Sequence, residues 1–586
     1  MRKYSSILLS ALVLVLLTVA LSFWSRSYQR SIDTYASPLI DLSLPQGDPL
    51  PGQTHRVVVI LLSGMSYDTA TAADMPILQT LRKAGAYAPI TCRPPTFWQT
   101  AWGSLITGAT PAATGLPLLE VAPDTAVPVP LDTIFAAARD AGQRSAIVGS
   151  TRWEQLLPAE AVDVLHLTAG EDVQSDADVV QVALGLIGDP QYDLIVIQLS
   201  QLEAAAKTGG VTGQDYLGAT RQMDSHLRQI VRQVNLSNSV LMVTSDVALL
   251  EDGQPAGAEA QPPELPLVLV GQDVVAGSFS AISQVDLAPT LALLLGVRVP
   301  SASMGEPLYQ FFSLSEEDNV LSHLQVAAQR VTLEDTLAVS LDQPEVAAQS
   351  LEDLLTARDA WLQGNSAGAV ELSALVTREA TDGINRAIAG RLKAQRRARL
   401  PLSLAAVLAP LLLAWILRLK RGPLLLASAF VAMVVFYGAY RLLGNEFVFS
   451  DTLGLETTVP AGAARDAAIG FVVGGLLVLA SLLSGEHRYL HQSVAASYDY
   501  ALVAVYVATL PLIFLYWQYG GLLQWHLPPA WAVIVLGLGL TQTATVAAAG
   551  VVLPWLIGGV AWVVNRWRVH ARPTDQKWDP IAHLRR

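Results

Sequence analysis

Short apolar runs alternate with amphipathic segments through the first half of the chain. The runs have the length of β-strands and occupy residues 57–62, 145–148, 194–197, 240–243 and 266–270. Between them, apolar residues recur at helical spacing over residues 131–141, 177–187, 216–234 and 287–295. Continuous apolar runs of this length are typical of parallel strands that are buried on both faces. We therefore predict an α/β domain over residues 55–312, with a doubly wound, mostly parallel sheet.

The most informative stretch of this domain is its beginning. The first apolar run ends at Ser63 and Gly64, and the helical pattern after it ends at Gly85, the position of a left-handed C-terminal glycine. A Pro-Pro-Thr turn then leads to a Thr-Gly turn at residues 107–108. Open α/β sheets place their chemistry in turns at the carboxyl ends of strands. We therefore expect the functional site in this stretch.

A charged, helical region follows the predicted sheet domain. Residues 313–399 lose the strand-length runs and carry leucines at helical spacing. The glycines at residues 364–368 are expected to turn one helix back onto the next. This pattern predicts a helical stalk beside the sheet domain.

The amino-terminal region is apolar enough to enter a membrane. Residues 7–23 are almost wholly apolar and follow Arg2 and Lys3. A cleaved signal peptide would need a small-x-small cleavage site, and none stands out after the apolar run. We therefore expect an uncleaved anchor over residues 1–28, followed by a linker over residues 29–54.

Beyond the stalk, the chain predicts a membrane domain over residues 400–566 and a basic tail over residues 567–586. The predicted spans lie near residues 400–417, 424–443, 467–483, 500–517 and 531–564. Each is long enough to cross about 30 Å of hydrocarbon. The last is too long for one straight span, so it is either a re-entrant segment followed by a span or a long helix broken near Gly550 or Pro554. These five spans and the anchor give six predicted crossings.

The distribution of charge predicts how the spans are oriented. Basic residues at 420–421 and 487–488 are expected in the cytoplasm with the basic tail, which puts both termini inside and the sheet domain outside. Arg396, Arg397 and Arg399 then lie on the outer side, where the rule is weak because a long translocated domain precedes them. No acidic residue lies in the middle of a predicted span, which disfavours an ion-coupled transporter.

Composition narrows the location and the partners. The net charge of −13 disfavours nucleic acid as a partner, because neutralising phosphates requires a basic face. Cys92 is the only cysteine, which excludes an intrachain disulfide and a cysteine-based zinc site. The alanine-rich composition without disulfides fits a multi-pass protein of a bacterial plasma membrane. We expect membrane lipids as partners, together with an envelope or membrane protein.

Four stretches of the predicted sheet domain together resemble one known family. They read VVVILLSGMSYD, PPTFWQTAWGSLITGATPAATG, YDLIVIQLSQLEAAAK followed by VTSD, and QVDLAPTLALLLGVRVPSASMGEPL. Their order resembles the alkaline phosphatase superfamily, which has a sulfatase-like fold. The most similar branches are the type I phosphodiesterase/nucleotide pyrophosphatase group and the membrane-bound phosphoethanolamine transferases. The layout of an anchor, an outer domain and several spans also resembles glycolipid ethanolamine-phosphate transferases.

The resemblance implies metal-dependent phosphoryl transfer. Members of the superfamily use two divalent metals, usually zinc held by Asp and His, and a Thr or Ser nucleophile that attacks phosphorus. In this chain, Ser63 stands at the position of the first metal-binding Asp. Trp98 stands at the position of the nucleophile, with Thr96 and Thr100 on either side.

The remaining metal positions also depart from the family pattern. The resemblance puts Glu203 at an Asp position and Lys207 at the His four residues later, where a protonated lysine is expected to pair with Glu203 and Asp246. Asp246 is the retained Asp of an Asp-His-Gly motif, but Val247 stands at its His. No histidine lies within residues 251–265, where the last family His is expected.

Two hypotheses follow from the resemblance. The first is a pseudoenzyme: a non-catalytic member that needs no metal cofactor and uses its fold for binding or assembly. The second is an active phosphodiesterase or phosphoethanolamine-type transferase that acts on phospholipid or cell-envelope phosphoesters. It would use Thr96 or Thr100 as the nucleophile, with Glu203, Asp246 and Asp68 around one or two divalent ions, zinc or manganese. The missing nucleophile and histidines favour the first hypothesis.

Overall fold

The computed structural model describes residues 4–35, 37–40, 43–44, 46–117, 127–257, 261–346, 348–416, 422–443, 458–484 and 489–571. Its first element is α1 (Ser5–Asp33). The strands are β1 (Arg56–Leu62), β2 (Ala86–Thr91), β3 (Ser145–Ser150), β4 (Val164–Thr168), β5 (Leu194–Leu199), β6 (Ser239–Thr244), β7 (Leu265–Gly271), β8 (Gly277–Ser278) and β9 (Ile282–Ser283). The helices among them are α2 (Tyr67–Ala72), α3 (Pro76–Ala84), α4 (Trp98–Thr107), α5 (Ile134–Asp140), α6 (Arg152–Leu156), α7 (Val173–Gly188), α8 (Gln201–Gly209), α9 (Gln214–Gln233) and α10 (Leu287–Leu295).

The strands form one sheet in the order β4-β3-β5-β1-β6-β7-β2-β8, and β9 pairs with β2. The strands β4, β3, β5, β1 and β6 run parallel, whereas β7 is antiparallel to both of its neighbours. Helix α10 packs against β1, α4 and α5. Helix α3 packs against β7, α7 packs against β5 and β3, and α9 packs on α3 and α7. These contacts confirm the predicted α/β fold with a mostly parallel sheet.

The predicted strands agree with the observed ones where the apolar run is continuous. The runs at residues 145–148, 194–197, 240–243 and 266–270 lie within β3, β5, β6 and β7. The sequence pattern does not predict β4, which lies at the edge of the sheet and is not fully buried at any position. An edge strand needs no continuous apolar run, so its sequence carries a weaker signal.

Three helices form the region predicted as a stalk. They are α11 (Glu316–Ser340), α12 (Ala348–Leu362) and α13 (Ser366–Ile416). The predicted turn is confirmed, because α12 ends just before Gly364, whose φ is +79°. Arg330 of α11 is fully buried and donates hydrogen bonds to the Gly305 carbonyl and the Thr381 hydroxyl. This side chain fastens the carboxyl end of the sheet domain to the stalk.

The last helices are α14 (Gly422–Leu442), α15 (Thr458–Ser484), α16 (Leu490–Tyr519) and α17 (Ala530–Ala571). Among the residues that the structure describes, five helices are long and apolar enough to cross a membrane: Ser5–Ile32, Gly422–Leu442, Gly462–Ser484, Leu490–Tyr519 and Trp531–Arg568. The predicted span near residues 400–417 is not among them. It is the apolar end of α13, which continues from the stalk without a break. The last region is one continuous helix with Pro554 inside it, so it agrees with the long-helix alternative but has no break at Gly550 or Pro554.

Two acidic residues lie in the apolar helices but outside the predicted spans. The apolar helices extend further than those spans and include Asp466 and Asp499, each one residue before a predicted span. Asp466 is fully buried and accepts a hydrogen bond from Arg465 Nε over 2.8 Å, so a local partner accompanies the charge. The basic pairs at 420–421 and 487–488 and most of the predicted tail lie outside the described residues.

Candidate functional site

The candidate site lies where β1, β5 and β6 reach the same edge of the sheet. Ser63 follows β1 directly, Glu203 lies in the first turn of α8 after β5, and Asp246 follows β6. Because these strands are adjacent and parallel, their carboxyl ends meet where open α/β sheets bind ligands. Gly64 allows the turn after β1 to approach α8. Its φ is +81°, and a Cβ there would lie 3.1 Å from the Glu203 Cα.

Ser63 and Asp246 belong to a fully buried hydrogen-bond network. Ser63 Oγ donates to Asp246 Oδ2 over 2.9 Å. Gln198 Nε2 donates to Ser63 Oγ over 3.0 Å and to Asp246 Oδ2 over 3.3 Å. Gln198 is held in turn by Trp153 Nε1, which donates to Gln198 Oε1 over 2.9 Å. Asp246 therefore meets neutral donors at the position where the superfamily binds a metal.

The surroundings of Asp246 make its ionisation costly. Burial raises the pKa of Asp246 to about 6, and repulsion from Glu203 adds to the shift. The hydrogen bond from Ser63 lowers the pKa but does not cancel these effects. Asp246 Oδ1 is buried without a hydrogen-bond partner. The neutral neighbours thus leave much of the cost of ionising this carboxyl uncompensated.

Glu203 is enclosed by two basic side chains. Arg152 Nη1 donates to both Glu203 carboxylate oxygens over 3.2 Å, and Lys207 Nζ lies 2.6 Å from Glu203 Oε1. Arg152 Nη2 also pairs with Glu171. The Glu203 side chain is 1% exposed and that of Arg152 is 11% exposed, so water screens their ion pair weakly. The predicted Lys207–Glu203 pair is confirmed, but Lys207 makes no ion pair with Asp246, because it lies one helical turn after Glu203 and pairs along α8.

The residues at and beside the family's nucleophile position are buried. Trp98 begins α4, and the Arg152 Cζ lies 6.0 Å from its ring centroid. Thr96 Oγ1 and Thr100 Oγ1 donate to backbone carbonyl oxygens over 2.8 and 2.9 Å, respectively. Asp68 lies exposed in the first turn of α2. A hydroxyl that donates to a carbonyl must break that bond before it can give its proton to a base.

The side chains of this site do not fit the pair of divalent metals that the resemblance implies. Zinc in proteins is held by Cys, His, Asp and Glu, usually in sets of three or more. In the part of the chain that the structure describes, no three such residues lie together as a ligand set. Glu203 forms ion pairs with Arg152 and Lys207, and Asp246 accepts hydrogen bonds from Ser63 and Gln198. No metal-dependent step follows from this arrangement.

Sequence reasoning does not identify two side chains of the site. Gln198 is a polar residue inside the apolar strand β5, and this is a usable signal because a buried amide needs hydrogen-bond partners. Arg152 begins α6 after β3 and has no such signal. Its partners Glu171 and Glu203 are brought near by the fold and not by sequence spacing.

Comparison with known proteins finds matches in the same branches that the sequence motifs resemble. The family described as "Type I phosphodiesterase / nucleotide pyrophosphatase" matches residues 57–117. The chain is 23% identical over 276 residues to the human "GPI ethanolamine phosphate transferase 2, catalytic subunit", which covers 43% of this chain and 28% of that protein. It is 21% identical over 337 residues to "GPI ethanolamine phosphate transferase 2" of Aspergillus fumigatus, which covers 52% of this chain and 43% of that protein.

A solved structure of a protein in the alkaline phosphatase superfamily from Vibrio parahaemolyticus aligns with a TM-score of 0.36 and 15% identity, covering 50% of this chain and 79% of that chain. The chain matches less than half the length of each of the two curated transferases. The family match and the two transferases support the alkaline phosphatase superfamily, as the motifs predict. The five apolar helices further indicate a membrane protein.

Proposed function

We propose that the sheet domain is a non-catalytic member of the alkaline phosphatase superfamily that is held at a membrane and acts in binding or assembly. The observation that carries the proposal is the enclosure of Glu203 by Arg152 and Lys207. These two cations neutralise the carboxylate that the resemblance assigns to a metal. Displacing them would leave buried charges without partners, at a cost of several kcal/mol.

The nucleophile position supports the same proposal. Trp98 carries no nucleophilic oxygen, and the hydroxyls of Thr96 and Thr100 donate to backbone carbonyls. Phosphoryl transfer in this superfamily relies on an activated hydroxyl and on metal charge together, so the loss of both removes most of the rate enhancement.

The alternative is an active phosphodiesterase or ethanolamine-phosphate transferase. The observation in its favour is the similarity to the two GPI ethanolamine phosphate transferases, which extends over about half of this chain in one case (52%). It would require Glu203 to leave Arg152 and Lys207, and Thr96 or Thr100 to exchange its carbonyl partner for a base.

An activity assay separates the two functions. The full chain in detergent is supplied with a chromogenic phosphodiester, or with phosphatidylethanolamine as donor, in the presence of zinc, manganese or calcium. We expect the wild type to release no more product than its Asp246→Ala variant with any of the metals. Turnover that needs a metal and disappears in Asp246→Ala would establish the enzymatic alternative.

The wider arrangement belongs to the same proposal. The apolar helices form a multi-pass membrane domain in a plasma membrane, the sheet domain lies outside, and both termini lie in the cytoplasm. The partners are membrane lipids and a membrane or envelope protein. The position of the basic residues in the sequence supports this orientation.

A further inference from the structure

Two arginines at the boundary between stalk and helix bundle have no role in the proposed function. Arg396 and Arg399 are the last partly buried basic residues of α13 before its apolar end. We call Arg396 and Arg399 the boundary cluster. The predicted topology puts both arginines outside, whereas the positive-inside rule favours basic residues on the cytoplasmic side. Their position therefore needs a physical reason.

Both arginines reach from α13 to the carboxyl end of α16. Arg396 Nε donates to the Gln518 carbonyl over 3.2 Å, and Arg399 Nη2 donates to Gln395 Oε1 over 2.8 Å. The Arg399 guanidinium lies against Gly520, where a Cβ would come within 3.0 Å of Nη2. Arg399 Nη1 is buried without a hydrogen-bond partner. A guanidinium is thus held in place with one of its donor groups unused.

The cluster carries positive charge without a carboxylate. Within the described residues, neither Arg396 nor Arg399 forms an ion pair, and their hydrogen-bond acceptors are neutral. Burial and the neighbouring Arg396 lower the pKa of Arg399. Partly buried cations that repel one another are costly unless an anion accompanies them.

The residues around the cluster are typical of the depth of lipid headgroups. Trp24 Nε1 donates to the Gly521 carbonyl over 2.7 Å, and the Trp24 ring meets Tyr516 edge-on at 6.4 Å. The Tyr519 and Trp531 rings also meet edge-on, at 6.4 Å. Such aromatic residues gather at the boundary between water and hydrocarbon.

Apolar surface continues from the cluster along α13. Leu400 and Leu404, one helical turn apart, follow directly and are 41% and 50% exposed. A lipid whose headgroup reached the arginines could lay its acyl chains along these leucines. An inorganic anion would gain nothing from this surface.

We propose that the boundary cluster binds the phosphate of an anionic lipid headgroup, with Arg399 as the principal contact and Arg396 beside it. The guanidinium fork matches phosphate oxygens, and the free Arg399 Nη1 supplies an N–H that the protein itself leaves unused. A net positive charge favours an anionic lipid over a zwitterionic one. This site is separate from the Ser63–Asp246 site and does not depend on whether that site is catalytic.

The test uses the full chain in detergent, titrated with short-chain phosphatidylglycerol, short-chain phosphatidylcholine or inorganic phosphate. Native mass spectrometry counts the bound lipid, and the thermal midpoint reports stabilisation. We expect saturable binding of phosphatidylglycerol, weaker binding of phosphatidylcholine and no competition by phosphate. Arg399→Gln should weaken phosphatidylglycerol binding about tenfold, the effect of losing one charge-assisted hydrogen bond.

Arg397→Gln is the matched control, because Arg397 lies on the same turn of α13 but is exposed. It removes the same charge and should leave the affinity unchanged. If Arg399→Gln is poorly folded, Arg396→Gln takes its place with the same expectation. Equal weakening by the control, full competition by inorganic phosphate, or no saturable lipid binding would each overturn the proposal.

Discussion

Replacing Arg152 with alanine is expected to lower the free energy of unfolding of the sheet domain by about 3 kcal/mol. Glu203 is 1% exposed and would keep only Lys207 as an ion-pair partner, which would leave a buried carboxylate partly uncompensated. Glu171 would lose its partner as well. Pulse proteolysis of the full chain in urea measures the change, because it reports the fraction of sheet domain that is unfolded and cleavable.

Arg144→Ala provides the matched control. Arg144 Nε lies 3.3 Å from Asp163 Oδ1, but the two side chains are 41% and 36% exposed. The free energy of unfolding should therefore fall by about 1 kcal/mol or less. The double variant Arg152→Ala/Glu203→Gln should recover part of the stability, because it also removes the charge that Arg152 balances. Equal losses in Arg152→Ala and Arg144→Ala would contradict the description of this cluster as a buried ion-pair network.

Replacing Ser63 with aspartate is expected to destabilise the sheet domain by about 4 kcal/mol at pH 8. Ser63 and Asp246 are both fully buried, and Ser63 Oγ lies 2.9 Å from Asp246 Oδ2. The substitution would place two carboxyl groups in contact with no cation between them. The variant is to be unfolded in EDTA, so that no added metal stabilises the pair.

The loss in Ser63→Asp should depend on pH. Burial already raises the pKa of Asp246 to about 6, and a second carboxyl would raise it further. A carboxyl whose pKa is raised on folding favours the folded state at low pH, and this contribution disappears as the pH rises through the folded pKa. The loss should therefore be smaller at pH 5 than at pH 8.

Ser63→Asn isolates charge from size, because asparagine has nearly the same volume as aspartate. Its loss should be less than half that of Ser63→Asp at pH 8 and should not change with pH. If Ser63→Asp were as stable as the wild type in EDTA at pH 8, the pocket would accommodate two carboxylates, and the account of a neutral network would fail.

Much of the sheet can be predicted because its signals are local. The continuous apolar runs of β1, β5 and β6 mark buried strands whatever their partners are. Helix α3 ends at Gly85, as predicted, but Gly85 is not the left-handed cap that was expected there. Its φ is −133°, which is extended, and a Cβ there would lie 1.9 Å from the Leu269 carbonyl oxygen. Close packing of β7, which the sequence does not show, explains the glycine.

The boundary between stalk and membrane region is harder to predict. The composition changes sharply near residue 400, but α13 continues through the change to Ile416. Backbone hydrogen bonds of a helix form equally well in polar and apolar segments, so a change of solvent need not end the helix. The predicted boundary between stalk and membrane domain, which rests on composition, therefore falls within helix α13.

The candidate site is predicted only in part, because local motifs reveal some of its residues and not others. Ser63, Trp98, Glu203 and Asp246 can be placed because each lies in a motif of fixed local spacing. The partner that changes the chemistry of Glu203 is Arg152, which arrives from β3. Its role depends on the order of strands in the sheet, and no local pattern encodes that order.

The most direct test of the central claim is a zinc titration of the full chain at pH 7.5, with the bound metal counted after dialysis. We predict that the wild type, Asp246→Ala and Glu203→Ala retain the same amount of zinc, because neither carboxyl is arranged as a ligand. One zinc ion per chain in the wild type, lost in both variants, would contradict the account and show that Arg152 and Lys207 yield Glu203 to a metal.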